Sequence, residues 1–408
     1  MSEICIKPRI VNGTIIVSGA KNSSLKLLTA TLLTDSQVIL TGMPSGILDL
    51  QLQINMQKSL GQTVRVKDAK IITSSDDICN NLVWDDRSVR TSLLILGVLL
   101  TRTGSGKVPL PGGCKLGERK YDLHVKAMES LGAKVWEDGD YLCAKSEGKL
   151  KGTDIHLAMR STGATENSIL MGCLAEGITR VWNPHLRPEI VDLITLLKKM
   201  GAKIEIRGQE SIVIEGVSKL HGAEHTCIPD NVEALTWLIA GAGAGGELEI
   251  KNFPLDHLEV PLIHLREAGL KYYVSEDRTS VIVRKSECYP IDIATGPYPG
   301  INSDMQPIFA VYGLMAKGES RITDLRFPGR YGYAEELGKM GADYEIKGDM
   351  LIIKGGKKLK GSNVKALDLR AGAALVLAGL VAEGETIIEN FEQVERGYEH
   401  IATKLSIV

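Results

Sequence analysis

The sequence predicts an α/β (α+β) protein of two domains, each assembled from three copies of one mixed helix-and-strand unit. Three observations predict it. The chain of 408 residues is too long for one ordinary hydrophobic core. A helix end marked by glycine and followed by a strand recurs along it. An apolar, small-residue helix that runs into a strand recurs between those copies.

The glycine-ended element reads Ser59-Leu60-Gly61, Leu131-Gly132-Ala133, Met200-Gly201-Ala202, Ala268-Gly269-Leu270 and Met340-Gly341-Ala342, with successive glycines 71, 69, 68 and 72 residues apart. Glycine suits the position after a helix because the left-handed conformation there costs it little. Strand-like runs follow at Lys134-Val135-Trp136, Lys203-Ile204-Glu205-Ile206, Lys271-Tyr272-Tyr273-Val274 and Tyr344-Glu345-Ile346. The second element covers 30–40, 94–110, 169–182, 238–250, 309–322 and 374–388, which makes six copies. Its helices carry Ala, Gly, Leu and Val on nearly all sides, the pattern of a buried helix. A unit of about 70 residues cannot bury both faces of its own sheet. Six units are therefore expected to pack as two groups of three, with buried helices inside and sheets outside. Repeats alone leave open a generic α/β repeat protein with no active site.

Composition narrows the chemistry. Hydrophobic residues make up 44% and charged residues 24%, with a net charge of −2. Nothing global attracts a nucleic acid or a membrane, so an anionic ligand needs a local cluster of Arg and Lys. No apolar run reaches the roughly 18 residues of a membrane helix. The seven cysteines are odd in number and lack metal-ligand spacing, and the N-terminus has no apolar signal region. Reduced thiols in a cytoplasmic protein without a metal site or cofactor fit this usage.

Four segments carry candidate chemistry. In 110–124, Cys114 is flanked by Gly112, Gly113 and Gly117 and by Lys115, Arg119 and Lys120. Cations favour a thiolate, so this cysteine is a candidate nucleophile or general acid. The other six cysteines read as small apolar residues. Ser18-Gly19-Ala20-Lys21-Asn22 opens a helix, where amides and Lys21 suit an anion, although a lysine there is often merely solvated. Arg90, Arg326, Arg370 and Arg396 each sit at an element end, and arginine matches carboxylate and phosphate with paired hydrogen bonds. Singly, each could equally be a surface ion pair. Asp304 follows a Pro/Gly-rich loop; on the residues alone it reads first as a helix N-cap and second as a general base.

Together these segments resemble the enolpyruvyl transferases over essentially the full length. The resemblance is carried by 18–22, 111–124, Gly163-Ala164-Thr165-Glu166-Asn167, Pro188-Glu189-Ile190-Val191-Asp192, Pro297-Tyr298-Pro299-Gly300, Ser303-Asp304-Met305-Gln306, Asp368-Leu369-Arg370 and Arg396-Gly397-Tyr398-Glu399. It implies a two-domain inside-out α/β barrel, pseudo-threefold in each domain. One domain would be 20–228, carrying the Cys114 loop. The other would be 1–19 plus 229–408, carrying Asp304 and the carboxylate-binding arginines. It also implies transfer of the enolpyruvyl group of phosphoenolpyruvate to the 3-hydroxyl of UDP-N-acetylglucosamine, with phosphate released through a tetrahedral intermediate. This is the first committed step of peptidoglycan precursor synthesis.

The roles implied are residue by residue. Cys114 would protonate the methylene carbon and be the site of fosfomycin alkylation. Asp304 would face the accepting hydroxyl. Lys21, Arg119 and Arg396 would hold phosphate, and Arg326, Arg370 and Arg396 the carboxylate. Asn22, Arg90, Arg119, Asp122, Leu123, Ser161 and Gly163 would contact the nucleotide sugar. Closure that brings Cys114 and Asp304 together would be a condition for chemistry.

Departures from the family pattern lie on the nucleotide-sugar side: Lys120, Arg160, Asn231, Ile301 and Asn302. They keep open a paralogue that acts on another uridine nucleotide such as UMP. A catalytically silent nucleotide-binding regulator is a third reading, opposed by the intact Lys21, Cys114, Arg119, Asp304 and Arg396.

Overall fold

The computed structural model describes residues 2–75, 77–85, 89–111 and 121–408. Two compact units make up the chain: Gly19–Ile228, and Met1–Ser18 together with Pro229–Val408. Each has its own hydrophobic core.

In the unit Gly19–Ile228 a single order of elements recurs: buried helix, strand, outer helix, β-hairpin, short strand. The buried helices are Lys21–Ala30, Ser92–Thr103 and Thr162–Gly172, and the outer ones Leu48–Ser59, Asp122–Ser130 and Pro188–Lys199. The short strand of one repeat pairs in parallel with the first strand of the next. Thus Asp154–His156 joins Ile178–Trp182, and an isolated bridge from Asn81 to Lys107 does the same job one repeat earlier. The last short strand, Glu224–Thr226, returns to Val38–Thr41 of the first repeat and closes the ring of three.

The unit Met1–Ser18 with Pro229–Val408 repeats the pattern around the helices Asn231–Ala244, Gln306–Met315 and Leu369–Val381. Every residue from Asn231 to Ala242, from Gln306 to Leu314 and from Leu369 to Leu380 is buried. Helices apolar on all sides can be stable only where sheets and other helices cover them completely. Here the ring is closed by the start of the chain. Glu3–Ile6 pairs with Thr386–Glu389, and Gly13–Ile16 runs parallel to Glu247–Lys251.

The five recurring glycines all lie at positive φ, from 89° at Gly341 to 98° at Gly132. A sixth copy is missing for a structural reason. In the last repeat the outer helix shrinks to Glu392–Glu395, and the N-terminal strand replaces the hairpin.

Close packing sets further glycines. At Gly97 in the helix Ser92–Thr103, a Cβ would stand 2.0 Å from Asn167 Oδ1 on the neighbouring helix Thr162–Gly172. All six described cysteines are free thiols, and Cys143, Cys173, Cys227 and Cys288 are buried.

Candidate active site

Asp304 lies just before the helix Gln306–Met315, whose N-cap is Met305 with no side-chain cap bond. The carboxylate is therefore not spent on capping, contrary to the first reading of the residues alone. Its oxygens face two guanidinium groups: Oδ1 is 3.3 Å from Arg330 Nη1, and Oδ2 is 3.5 Å from Arg370 Nε. Arg330 Nη2 reaches Asp368 Oδ2 at 3.4 Å. Asp368 caps the helix Leu369–Val381 through Oδ1, which accepts from the amides of Arg370 at 2.7 Å and Ala371 at 2.9 Å. One carboxylate thus starts the helix that bears Arg370 and also holds Arg330.

Arg370 is 1% exposed, and its guanidinium lies 5.4 Å from the ring centre of Tyr398. None of its three guanidinium nitrogens makes a hydrogen bond among the described residues. Arginine stays charged in a protein interior, so these donors are unpaid hydrogen-bonding capacity beside a carboxylate. Tyr398 donates or accepts a hydrogen bond with Thr236 Oγ1 at 2.9 Å, and burial pushes its phenol up to about 12. Arg396 is also buried and donates to Gln393 Oε1 at 3.1 Å. Arg326 is exposed, with its guanidinium 5.5 Å from the Phe327 ring.

Arg330 is the residue that sequence reasoning missed. Its signal was present: it follows Pro328-Gly329 at a turn before the helix Gly332–Lys339, the same element-end setting as the other arginines. Asn302, one of the departures from the family pattern, accepts from the amide of Asp304 at 2.9 Å and so helps hold that loop. Ile301 is buried in the core, and Asn231 starts its helix behind the capping Asp230.

In the unit Gly19–Ile228, Lys21 opens its helix and pairs with Asp49 at 2.9 Å, both side chains nearly buried. Asn22 follows it and is partly buried. Beneath this helix lies a buried charge network: Lys26 stands 3.8 Å from Glu166, and Arg187 holds Glu189 through two bonds of 2.6 Å. Burial raises Glu166 to about 7 despite the pull of Lys26. Ser23 donates to Asp192, which also meets His225 Nε2 at 2.7 Å.

Ser161 caps the helix Thr162–Gly172, its hydroxyl accepting from Ala164 at 3.4 Å. Gly163 has a steric reason: a Cβ would stand 2.7 Å from His124 Nε2. His124 is buried on the helix that Asp122 and Leu123 begin, and bonds Asn167 through Nδ1 at 3.2 Å. Burial, with the charge of Arg90 adding to it, brings His124 down to about 3. Arg160 donates to Gln209 at 3.3 Å and to Asn183 at 3.4 Å. It borders an open cavity of about 550 Å³ lined also by His156 and Trp182. Cys114 and Arg119, with Lys115 and Lys120, lie outside the described residues.

Known proteins resemble this chain in sequence and in fold. The family described as EPSP synthase (3-phosphoshikimate 1-carboxyvinyltransferase) matches residues 6–405. The UDP-N-acetylglucosamine 1-carboxyvinyltransferase of Granulibacter bethesdensis is 40% identical over 398 residues, covering 97% of this chain and 94% of that protein. Its namesake from a Caulobacter species is 40% identical over 403 residues, covering 97% and 93%. The crystal structure of the enolpyruvyl transferase NikO from Streptomyces tendae has the same fold, with a TM-score of 0.89 over 98% of this chain and 96% of that one at 23% identity. An EPSP synthase from Acinetobacter baumannii gives a TM-score of 0.72 over 97% and 95% at 18% identity. A sequence match over almost the whole length and one shared fold lead to the same place: the chain belongs to the EPSP synthase family of carboxyvinyl (enolpyruvyl) transferases.

Proposed function

We propose that the protein transfers the enolpyruvyl group of phosphoenolpyruvate to the 3-hydroxyl of UDP-N-acetylglucosamine and releases phosphate. The observation that carries this reading is the Arg370 guanidinium, buried beside Asp304 and Arg330 with its nitrogens unbonded among the described residues. Such a group recognises a carboxylate or phosphate by paired, charge-assisted hydrogen bonds. The relatives that match over nearly the full chain carry the name of this activity.

The residues then divide the work. Arg370, Arg396 and Arg326 serve the donor's carboxylate; Lys21, Arg119 and Arg396 serve its phosphate. Arg330 holds Asp304 in place. Asp304 faces the acceptor hydroxyl and takes its proton as the oxygen bonds to the substituted carbon of the donor. Cys114 gives a proton to the methylene carbon, which completes the tetrahedral intermediate. That carbon then returns a proton to the Cys114 thiolate as phosphate departs, which restores the double bond, and Asp304 releases the hydroxyl's proton to the departing phosphate or to water. Fixed cations stabilise the charge that develops on phosphate. Asn22, Arg90, Arg119, Asp122, Leu123, Ser161 and Gly163 form the nucleotide-sugar side. The reaction needs no metal or cofactor and belongs in the cytoplasm; no described helix is long and apolar enough to cross a membrane.

A second reading, transfer to another uridine nucleotide such as UMP, is favoured by Arg160, which stands directly before the capping Ser161 and borders an open cavity. The test is phosphate release from phosphoenolpyruvate with UDP-N-acetylglucosamine, UMP or shikimate 3-phosphate as acceptor. Release with UDP-N-acetylglucosamine is expected. Release with UMP alone selects the second reading, and release with none of the three sinks both.

A further inference from the structure

Asp324 is a carboxylate with no exposed surface, placed where the strand Glu319–Thr323 ends. It is the meeting point of three segments. Its Oδ2 accepts from Ser303 Oγ at 2.5 Å and from Gln306 Nε2 at 3.4 Å. Its Oδ1 accepts from Thr295 Oγ1 at 2.9 Å and from the amides of Arg326 and Phe327, both at 3.0 Å. The first set belongs to the segment that carries Asp304. The last two amides begin the loop that leads to Arg330.

Arg330 returns the connection. Its Nη1 lies 3.4 Å from Ser303 O and 3.3 Å from Ser303 Oγ, next to its bond with Asp304. Gln306 Nε2 also donates to Arg330 O at 3.0 Å. The loop bearing Asp304 and the loop bearing Arg330 are therefore tied to one buried anion by both side-chain and main-chain bonds. A carboxylate accepts such bonds at both oxygens; an amide accepts at one oxygen only and presents donors at the other position, and an apolar residue accepts none.

We propose that Asp324 is a positioning residue that, through Ser303, sets the distance between Asp304 and Arg330. It touches no substrate. The inference rests on the reading above that Asp304 faces the acceptor hydroxyl. A shift of about 1 Å at a reacting group costs on the order of a hundredfold in rate. A modest loosening of this tie therefore lowers kcat more than it alters nucleotide binding.

The experiment is a double-mutant cycle of Ser303→Ala and Asp324→Asn, with Ser303→Thr and Thr295→Val alongside, read by kcat, KM for the nucleotide sugar and melting temperature. Each of Ser303→Ala and Asp324→Asn is expected to lower kcat about tenfold to a hundredfold with KM changed less than about threefold. The double variant is expected to be no worse than Asp324→Asn, because both cut the same tie. Ser303→Thr keeps the hydroxyl and is expected to keep kcat. Thr295→Val removes a bond to Oδ1 of the same carboxylate, not to the oxygen that holds Ser303, and is expected to lower the melting temperature with kcat retained. Additive losses, or a fall in kcat for Thr295→Val that matches its loss of stability, would show a merely structural role and overturn the proposal. If Asp324→Asn does not fold, Ser303→Ala against Ser303→Thr decides alone. A wild-type protein with no activity on any acceptor overturns the functional reading instead. The crystal structure of Ser303→Ala then decides the positioning role: an Asp304–Arg330 pair shifted by about 1 Å supports it, and an unmoved pair refutes it.

Discussion

Arg370 brings a permanent charge into a helix that is buried along its whole face. Removing such a charge from water costs several kcal/mol unless bonds replace its hydration. Its long pair with Asp304 at 3.5 Å and the Tyr398 ring offset only part of that cost. Arg370→Met should therefore raise the free energy of unfolding by about 1–3 kcal/mol in urea titration, since Asp304 keeps Arg330 as a partner. The same change should abolish phosphate release. A variant that is both inactive and less stable would show that the guanidinium is held by contacts worth more than its desolvation. Part of this cluster is legible in the sequence: Arg370 stands out at an element end, whereas Asp304 reads on the residues alone first as a helix cap and gains its role from the family resemblance. Which arginine meets Asp304 was not legible, because Arg326 and Arg330 sit four residues apart with similar flanks. Only the turn at Pro328-Gly329 decides that Arg330 turns inward.

At the scale of elements, the buried helices explain both the small residues and the polar ones among them. The helices Ser92–Thr103 and Thr162–Gly172 approach closely because Gly97 has no side chain to separate them. Asn167 uses the space to donate to Leu93 O at 3.2 Å and to meet His124. A methyl group at Gly97 would collide with Asn167 Oδ1, and moving that side chain would break its bonds to Leu93 O and His124. Gly97→Ala should lower stability by about 1–3 kcal/mol in chemical denaturation, the usual cost of overpacking a core. A neutral or stabilising result, as helix propensity alone would give, would show that the two helices can separate freely. The helices themselves were readable from their composition, and the glycine ends from their spacing. The N-terminal strands were not, because Glu3–Ile6 and Gly13–Ile16 find their partners more than two hundred residues away. No local pattern encodes a partner at that separation.

The whole molecule carries opposite pH dependences in one unit. His124 has a folded value of about 3 against an ordinary 6.5. Its neutral form favours the fold, so that contribution is complete above pH 6.5 and is lost as pH falls toward 3. Glu166 has a folded value of about 7 against an ordinary 4.5, so its contribution is complete below pH 4.5 and is lost as pH rises through 7. Melting temperatures measured from about pH 8 to about pH 4 should therefore pass through a maximum for the wild type. His124→Gln should flatten the acid side of that curve, and Glu166→Gln should flatten the neutral side. Slopes unchanged in both variants would mean that neither group titrates differently in the folded protein. Net charge and hydropathy said nothing of this, since both groups acquire their shifts from burial that three separate repeats create.

By itself the sequence determined the class of fold and the recurrence of one unit, and it singled out candidate anion-binding residues, because helix period, glycine conformation and residue type act over a few neighbouring positions. The tertiary structure decided how the repeats close and which side chains meet. The strand at the start of the chain completes the last repeat, Arg330 joins Asp304, Asp324 gathers the loops that hold them, and Asp368 both caps a helix and binds a guanidinium. Those outcomes depend on hydrogen bonds and charges brought together from distant segments, and their energy exists only once the surrounding core has excluded water.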